Sequence, residues 1–280
     1  MMRCVSSRPR RLEFRLLSAR DLKYSRYPLI LTARMKVVVI IPAAGLGTRM
    51  ASPGSSRGKK PSASKQFTEL GGTPILIHTL RKFAAVSAVS EIHIALRKNE
   101  ISGFRAGLEK DGKKILQKTV NLVEGGEHRQ HSVANALAAV TAAADDIVLV
   151  HDAVRPFVTP AIIEDVIRAA QKFGAAIAGF PAVDTVKQVE RTADGAVITS
   201  TIPRERVVMA QTPQGFRYDV IRKAFDEATA DGFMGTDEAS LVERSGHQVA
   251  VVMGSARNIK ITTPADLELA EFYLGKSATD

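Results

Sequence analysis

The hydrophobic pattern alternates between short continuous apolar runs and longer amphipathic segments. Val37–Ile41 is a run of β-branched residues typical of a strand covered on both faces, and Asp146–Val150 contains a second such run. Between the runs, apolar residues recur at helical spacing, as in Pro74–Val86 and Pro160–Phe173. This alternation predicts an α/β fold with a mainly parallel sheet that helices cover on both faces.

The same patterns predict the other elements. Further strands are expected at Ile92–Leu96, Thr119–Val123, Ala175–Phe180, Gln248–Val252 and Asn258–Thr262. Further helices are expected at Ser132–Ala144 and Pro264–Tyr273, with Pro264 near the helix start, where its missing N–H is tolerated.

One segment departs from this rhythm. Thr185–Ile202 alternates apolar and polar residues around Asp194-Gly195, a strong hairpin signal because both turn positions favour positive φ. We expect a hairpin that projects from the parallel sheet. It is either a surface flap without a role or, as we favour, an arm that covers a strand edge in a dimer.

The positive charge is concentrated at the N-terminus. The 280 residues hold 39 Lys and Arg against 29 Asp and Glu, and nine of those cations but only two of the acids lie in residues 1–34. A protein that coats nucleic acid would spread this excess over its fold, so we expect no nucleic-acid partner. Residues 1–34 are predicted to be a disordered basic extension. They are a leader upstream of the true start at Met35, an organelle-targeting segment, or an arm for nucleic acid or anionic lipid.

Apolar run length and cysteine content bear on location. The longest run, from Val37 to Gly47, is shorter than the roughly 18 residues of a membrane-spanning helix and contains Pro42 and Gly45. The single cysteine, Cys4, cannot form an internal disulfide, which fits a reducing compartment. We expect a cytoplasmic protein without a membrane partner, or an organellar one if residues 1–34 are a targeting segment.

A glycine loop follows the first predicted strand. In Pro42–Met50, Gly45 and Gly47 let backbone N–H groups approach phosphate oxygens. The loop lacks the third glycine of a dinucleotide site and the Gly-Lys-Ser/Thr ending of a Walker loop. It contains Arg49 instead, and Lys65 follows, so the two cations are candidates to clamp a triphosphate and stabilise a leaving pyrophosphate. The alternatives are an ordinary tight turn and a solvated lysine.

A second motif, His151–Pro156, follows a buried strand, where ligands of open α/β sheets bind. The carboxylate of Asp152 is a candidate ligand for Mg²⁺ on phosphate oxygens, and Arg155 a candidate phosphate ligand. Alternatively, Asp152 caps the next helix and pairs with Arg155.

A third candidate lies at the start of a predicted helix. Gly125 and Gly126 precede Ser132 there, an arrangement that suits recognition of a base or sugar. His128 and His131 lack metal-pair spacing and are interpreted as solvated. Thr236–Ser240 predicts a helix N-cap with an acidic first turn. Because the chain has no recognisable Ser/His/Asp triad or histidine metal cluster, we favour phosphoryl or nucleotidyl transfer.

Eight motifs occur together and in order across residues 35–274. They are Ala43–Met50, Lys65–Phe67, Gly125-Gly126, His151–Pro156, Asp184–Lys187, Gln211–Gln214, Thr236–Ala239 and Asn258–Thr262. The set resembles the 2-C-methyl-D-erythritol 4-phosphate cytidylyltransferase family of the non-mevalonate isoprenoid pathway. The resemblance implies a Rossmann-like nucleotidyltransferase that joins CTP to methylerythritol phosphate and releases pyrophosphate, with Mg²⁺ or another divalent cation as cofactor.

The resemblance also implies residue roles. Arg49 and Lys65 would stabilise the transition state at the α-phosphate, and Arg204 and Lys260 would hold the substrate phosphate. The other implied substrate-binding residues are Asp152, Arg155, Thr185 and Thr236. The implied CTP-binding residues are Ala43, Ala44, Gly45, Gly47, Gly125, Gly126 and Ser132. The arm, residues 184–204, would exchange between the subunits of a homodimer, so that Thr185 and Arg204 complete the partner's site.

The chain departs from the family pattern in three places. The loop between Met50 and Lys65 is longer than usual, and Ser64 stands where a proline is common. His128 and His131 replace residues that are often acidic or otherwise polar. Residues 1–34 have no family counterpart, so we predict an extension at 1–34, one nucleotidyltransferase domain at 35–275 and a tail at 276–280.

Three other functions compete with this interpretation. A sister enzyme, ribitol 5-phosphate cytidylyltransferase, would share the glycine loop, the lysine and the His-Asp-Ala motif. A catalytically silent nucleotide-binding protein would be expected to lack Arg49, Lys65 or Asp152, all of which are present. Nucleic-acid binding through residues 1–34 would give strongly salt-dependent affinity.

Overall fold

The structure, a computed structural model, describes residues 35–45, 64–111 and 117–277. Its strands are β1 (Val37–Pro42), β2 (Glu69–Leu70), β3 (Thr73–Pro74), β4 (Glu91–Leu96), β5 (Thr119–Glu124), β6 (Ile147–Val150), β7 (Ala175–Pro181), β8 (Val186–Thr192), β9 (Gly195–Ile202), β10 (Val208–Arg217) and β11 (Ala250–Met253). Its helices are α1 (Ile75–Ala84), α2 (Lys98–Asp111), α3 (Arg129–Ala138), α4 (Pro160–Phe173), α5 (Tyr218–Ala230), α6 (Glu238–Arg244) and α7 (Pro264–Ser277). Short 3₁₀ turns lie at Lys65–Phe67 and Arg204–Arg206.

Seven strands form the central sheet in the order β11-β7-β10-β6-β1-β4-β5. Neighbouring strands are parallel except at β10, which runs antiparallel to both β6 and β7. Apolar residues of α1, α2 and α4 cover one face of the sheet, and those of α3, α5 and α6 cover the other. The predicted α/β fold is therefore confirmed.

Most predicted elements are present with small shifts at their ends. Helix α4 has the predicted bounds because Thr159 caps its start by accepting from Ile162 N, and Gly174, with φ +85°, ends it. Helix α3 begins and ends earlier than predicted. The carboxylate of Asp146 accepts from the backbone N–H of Ala143 at 2.7 Å, which holds the residues after α3 as a loop.

The prediction of a strand at Asn258–Thr262 is wrong. This segment has no regular structure, because the side-chain amide of Asn258 donates to Gln211 Oε1 at 3.1 Å and to Thr212 O at 2.9 Å. The segment is therefore held against β10 by this side chain instead of pairing as a strand, and it places Lys260 Nζ 2.9 Å from Asp152 Oδ2.

The predicted hairpin is present as β8 and β9, which form a separate two-stranded sheet and pair with no other strand of the described residues. Its turn differs in detail from the prediction. Thr192 pairs with Gly195, so Ala193 and Asp194 form the loop, and Gly195 alone has positive φ, at +144°. The positive φ therefore occurs at glycine, where the absence of a Cβ removes its steric cost.

The loops with predicted chemistry meet at one edge of the sheet. Residues 43–45, 125–126 and 151–155 follow the carboxyl ends of β1, β5 and β6 respectively. Parallel strands place these ends side by side, as in other open α/β sheets. Over the described ranges, no helix combines the length and apolar character needed to cross a bilayer.

Candidate active site

A cavity of about 220 Å³ lies at this edge of the sheet. Eight of the predicted site residues line it: Ala43, Ala44, Gly45, Lys65, Gly126, Ser132, Asp152 and Lys260. A larger cavity, of about 490 Å³, is lined by Phe67 and by residues of α1 and α2, and by none of the predicted site residues. The smaller cavity is the candidate site because charged groups and loop backbone converge there.

The loop after β1 is anchored through its backbone. Ala43 N donates to Ala95 O at 2.7 Å, which continues the pairing with β4. Two side chains hold the next carbonyls, since Gln66 Nε2 donates to Ala43 O at 2.5 Å and Arg97 Nε donates to Ala44 O at 3.0 Å. The loop is therefore preorganised by its own chain.

The glycine pair after β5 is packed too closely for side chains. A Cβ on Gly125 would collide with the Cβ of Ala44, and a Cβ on Gly126 would collide with that of His131. Ser132 Oγ accepts from Gly126 N at 3.1 Å and lies 3.1 Å from His128 O. The buried Ser132 hydroxyl thus holds the shape of this loop, and its contact with cytosine stays a prediction.

Asp152 is the centre of a charged cluster. Its Oδ1 accepts from Arg129 Nε at 3.2 Å, and its Oδ2 lies 3.4 Å from Arg155 Nε and 2.9 Å from Lys260 Nζ. Burial alone would raise the pKa of Asp152, but the charges of Arg129, Lys260 and Arg155 outweigh it and hold that pKa well below its usual value. The carboxylate is therefore ionised at neutral pH and fixes three cations around one point.

Arg129 and Glu238 are residues that the sequence analysis missed as members of the site. Arg129 Nη1 donates to both carboxylate oxygens of the buried Glu238, at 2.6 and 2.8 Å. Burial alone would lower the pKa of Arg129, but Glu238 and Asp152 raise it, so Arg129 stays charged. The predicted acidic first turn of α6 is correct, with Asp237 as N-cap, yet nothing in the local sequence predicts a partner 109 positions away.

The buried His151 orders the motif that carries Asp152 and Arg155. Its Nε2 lies 3.1 Å from Arg155 O, a group that only accepts, so Nε2 carries the proton and Nδ1 accepts from Thr212 Oγ1 at 3.1 Å. Thr212 Oγ1 in turn accepts from Asp152 N at 3.1 Å. Burial lowers the pKa of His151 to about 4, so the neutral imidazole persists at neutral pH.

This histidine links stability to pH. The unfolded chain takes up the proton near pH 6.5, above the folded-state value of about 4, so acidification favours unfolding. The free energy of unfolding should therefore fall by about 2 kcal/mol between pH 7 and pH 4.5 because of His151 alone. Urea unfolding at pH 7 and pH 4.5 should show a fall in the free energy of unfolding that is about 2 kcal/mol smaller in His151→Gln than in wild type. An equal fall in the two proteins would contradict the proposed role of His151 in this pH dependence.

The comparison with known proteins identifies the family. A family model described as IspD, 2-C-methyl-D-erythritol 4-phosphate cytidylyltransferase, matches residues 37–276. The chain belongs to this family. A protein of this name from Acidobacterium capsulatum is 62% identical over 240 residues, which are 86% of this chain and 98% of that protein. One of the same name from Solibacter usitatus is 51% identical over 245 residues, or 87% of this chain and 98% of that protein.

Solved structures of this cytidylyltransferase family have the same fold. The 4-diphosphocytidyl-2C-methyl-D-erythritol synthase from Anaerococcus prevotii aligns with a TM-score of 0.70 at 30% identity, over 86% of this chain and 99% of that one. The 2-C-methyl-D-erythritol 4-phosphate cytidylyltransferase from Thermus thermophilus aligns with a TM-score of 0.65 at 34% identity, over 85% of this chain and 98% of that one.

Several residues with roles implied by the cytidylyltransferase resemblance lie apart from the cavity lining. Thr236 lines a small adjoining cavity with Arg129 and Glu238. Arg204, the last residue of the arm, has a largely exposed side chain whose Nη1 donates to Val183 O at 3.0 Å, and Thr185 directly precedes β8. Arg49 and Gly47 lie outside the described residues.

The donor set around Asp152 bears on the predicted divalent cation. Among the described residues, no group of three or more His, Cys, Asp or Glu side chains is placed to hold a metal. A carboxylate offers roughly four lone-pair sites, and three at Asp152 face Arg129, Arg155 and Lys260. Asp152 therefore fits Mg²⁺ as a single ligand, with phosphate and water oxygens supplying the others, which is the set that this ion prefers.

Proposed function

We propose that this member of the family transfers CMP from CTP to 2-C-methyl-D-erythritol 4-phosphate, giving 4-diphosphocytidyl-2-C-methyl-D-erythritol and pyrophosphate. The observation that carries the proposal is a single cavity that unites the loop at 43–45, the Gly126 loop, Lys65 and the Asp152 cluster. Lys65, Arg129 and Lys260 line it against Asp152 and Glu127, which leaves an excess of positive charge for phosphates.

The reaction needs little covalent chemistry from the protein. An oxygen of the substrate phosphate attacks the α-phosphorus of CTP in line, a new P–O bond forms, and the bond to the β-phosphate breaks with its electrons leaving on pyrophosphate. Because the attacking phosphate is already ionised, no general base is required. Positioning and charge stabilisation supply the catalysis.

We assign the charged residues as follows. Arg49 and Lys65 neutralise the charge that develops on the α-phosphate and on pyrophosphate, while Lys260 and Arg155, held by Asp152, bind the substrate phosphate. A Mg²⁺ ion on Asp152 and the phosphates would neutralise further negative charge. Thr236 would complete the substrate site next to Arg129.

We assign cytidine recognition to the two loops on either side of the cavity. Ala43, Ala44, Gly45 and Gly47 would present backbone N–H groups to the nucleotide. Gly125 and Gly126 would face the base, supported by Ser132. The close approach of Gly125 to Ala44 joins the two loops into one surface.

The test is a substrate assay. Incubation with CTP and Mg²⁺ should release pyrophosphate with methylerythritol phosphate and far more slowly with ribitol 5-phosphate. Faster release with ribitol 5-phosphate would favour the sister enzyme. Binding of CTP without pyrophosphate release on either acceptor would instead indicate a silent nucleotide-binding protein.

The proposed homodimer rests on the arm. Apolar side chains along the arm and next to it are exposed to water in a monomer. They are Val183, Val189, Val197, Ile198 and Met209, which are 49–69% exposed. An exchanged arm would cover these residues and bring Thr185 and Arg204 to the partner's cavity.

Arm exchange predicts complementation between two inactive variants. Arg204→Ala and Lys65→Ala subunits, co-refolded in equal amounts, would form mixed dimers in which one site carries both changes and the other carries neither. Activity should recover to about a quarter of wild type, since half of the dimers have one intact site. The same mixture without subunit exchange is the control, and no recovery in mixed dimers would place Arg204 in its own subunit's site.

We further propose that residues 35–275 form one catalytic domain and that the protein is cytoplasmic. The family match over residues 37–276 and the single cysteine support these two points. Mass spectrometry of the native N-terminus would show whether residues 1–34 are retained, and removal at Met35 would favour a leader or a cleaved targeting segment.

A further inference from the structure

We propose that Ser64, Arg97 and Glu100 form a bracket that sets the position of Lys65 relative to the loop at 43–45. The three are positioning residues for the transfer reaction, and none of them lines the cavity. The inference rests on the role proposed for Lys65.

The bracket acts first on the loop after β1. A trans peptide fixes its N–H opposite its C=O, so a bound carbonyl orients the following amide. Arg97 Nε holds the carbonyl of Ala44 at 3.0 Å, and Gln66 Nε2 holds that of Ala43. The amides of Ala44 and Gly45 are thereby fixed in residues that line the cavity.

The bracket acts next on the segment that carries Lys65. Ser64 Oγ donates to Glu100 Oε1 at 2.6 Å, and on the other side Gln66 is bonded to Ala43. Lys65 lies between two anchored neighbours, and its Nζ donates to Thr262 O at 3.2 Å. The ammonium group is therefore held from its backbone outward, which limits the positions it can take.

Glu100 connects the two parts of the bracket, Ser64 in the Lys65 segment and Arg97 beside the loop after β1. It lies in the first turn of α2, and its Oε2 accepts from the backbone N–H of Arg97 at 3.4 Å, a weak form of a capping interaction. One carboxylate thus connects the start of α2, the Lys65 segment and, through Arg97, the loop after β1. The buried Nη2 of Arg97 has no hydrogen-bond partner among the described residues.

The backbone conformation of Ser64 permits a substitution to proline that should restore the restraint lost in Ser64→Ala. Its φ of −56° and ψ of 141° lie within the range of proline, whose ring would restrict this residue without any contact to Glu100. Ser64→Ala removes the contact and leaves the backbone free, whereas Ser64→Pro removes the contact but keeps the restraint.

The experiment measures kcat and KM for both substrates in purified full-length variants. Ser64→Ala and Glu100→Ala should each lower kcat roughly tenfold, because a small displacement of a charge-stabilising group slows the chemical step. KM for methylerythritol phosphate should stay within about twofold. The double variant should be no slower than Glu100→Ala, since that change already removes the contact with Ser64. Ser64→Pro should recover most of kcat, and Glu109→Ala, at an exposed position on α2, is the matched control.

Wild-type kcat in either Ser64→Ala or Glu100→Ala would overturn the proposal. It would also be overturned if Ser64→Pro were as slow as Ser64→Ala while melting at the same temperature, or if Glu109→Ala were equally slow. A Lys65→Ala variant is measured beside them, because full activity there contradicts the role proposed for Lys65 and not merely the bracket. Absence of pyrophosphate release in the wild-type protein would instead contradict the proposed function.

Discussion

Lys65→Ala is expected to lower kcat by about 10²–10³. Lys65 lines the cavity, and its Nζ donates to the carbonyl of Thr262 in the segment that also carries Lys260. The proposed leaving group gains negative charge as its bond to the α-phosphorus breaks, and a fixed ammonium group stabilises that charge more than the ground state. The loss should therefore fall on kcat, with a smaller change in the dissociation constant of CTP.

The measurement is steady-state pyrophosphate release together with calorimetric titration of CTP into each protein. Lys223→Ala is the matched control, because Lys223 is an exposed lysine of α5 that pairs only at 3.7 Å with Glu227. Its kcat should equal that of wild type. Near-wild-type kcat in Lys65→Ala, or a loss confined to CTP binding, would mean that Lys65 does not act in the chemical step.

Local pattern was sufficient for most of the fold. Helix α4 shows why: its apolar spacing, the proline in its first turn and the glycine after it are all signals within one segment. Strand order, in contrast, depends on contacts between distant segments. The antiparallel β10 between β6 and β7 follows from the return of the chain after the arm, and no periodicity encodes that.

The site was predictable where a motif carries its chemistry and unpredictable where two distant segments meet. Asp152 and Lys65 follow from position after a strand or a loop. The Arg129–Glu238 pair joins residues 109 positions apart, and the Ser64–Glu100 contact joins residues 36 positions apart, so no local pattern predicts either contact. The irregular path of Asn258–Thr262 was missed because a side-chain amide replaces the strand pairing that the apolar pattern predicts.

Asp152→Asn should lower kcat/KM for methylerythritol phosphate by about 10²–10³, although the side chain keeps its shape. Neutralising Asp152 leaves Lys260 and Arg155 without their shared anion, so the two cations repel each other and lose the geometry that holds the substrate phosphate. Breaking one side of a buried ion pair also costs about 3 kcal/mol in the free energy of unfolding.

The Asp152→Asn variant distinguishes the effect of the negative charge in the cavity from the effect of the positions of Lys260 and Arg155. Removing a negative charge from the cavity should strengthen simple anion attraction, so affinity for inorganic pyrophosphate should hold or rise while turnover falls. The control is Asp219→Asn, which removes an exposed carboxylate 2.8 Å from Arg217. Its turnover should equal that of wild type, and its free energy of unfolding should change by no more than about 0.5 kcal/mol. Turnover within threefold of wild type in Asp152→Asn would mean that Lys260 and Arg155 are placed by other contacts, and equal losses of turnover and pyrophosphate affinity would indicate a collapsed site. A fall in turnover with retained anion affinity leaves two roles of Asp152 as the cause, the placement of Lys260 and Arg155 and the proposed contact with Mg²⁺. Turnover that rises toward wild type at high Mg²⁺ concentration would favour the second role.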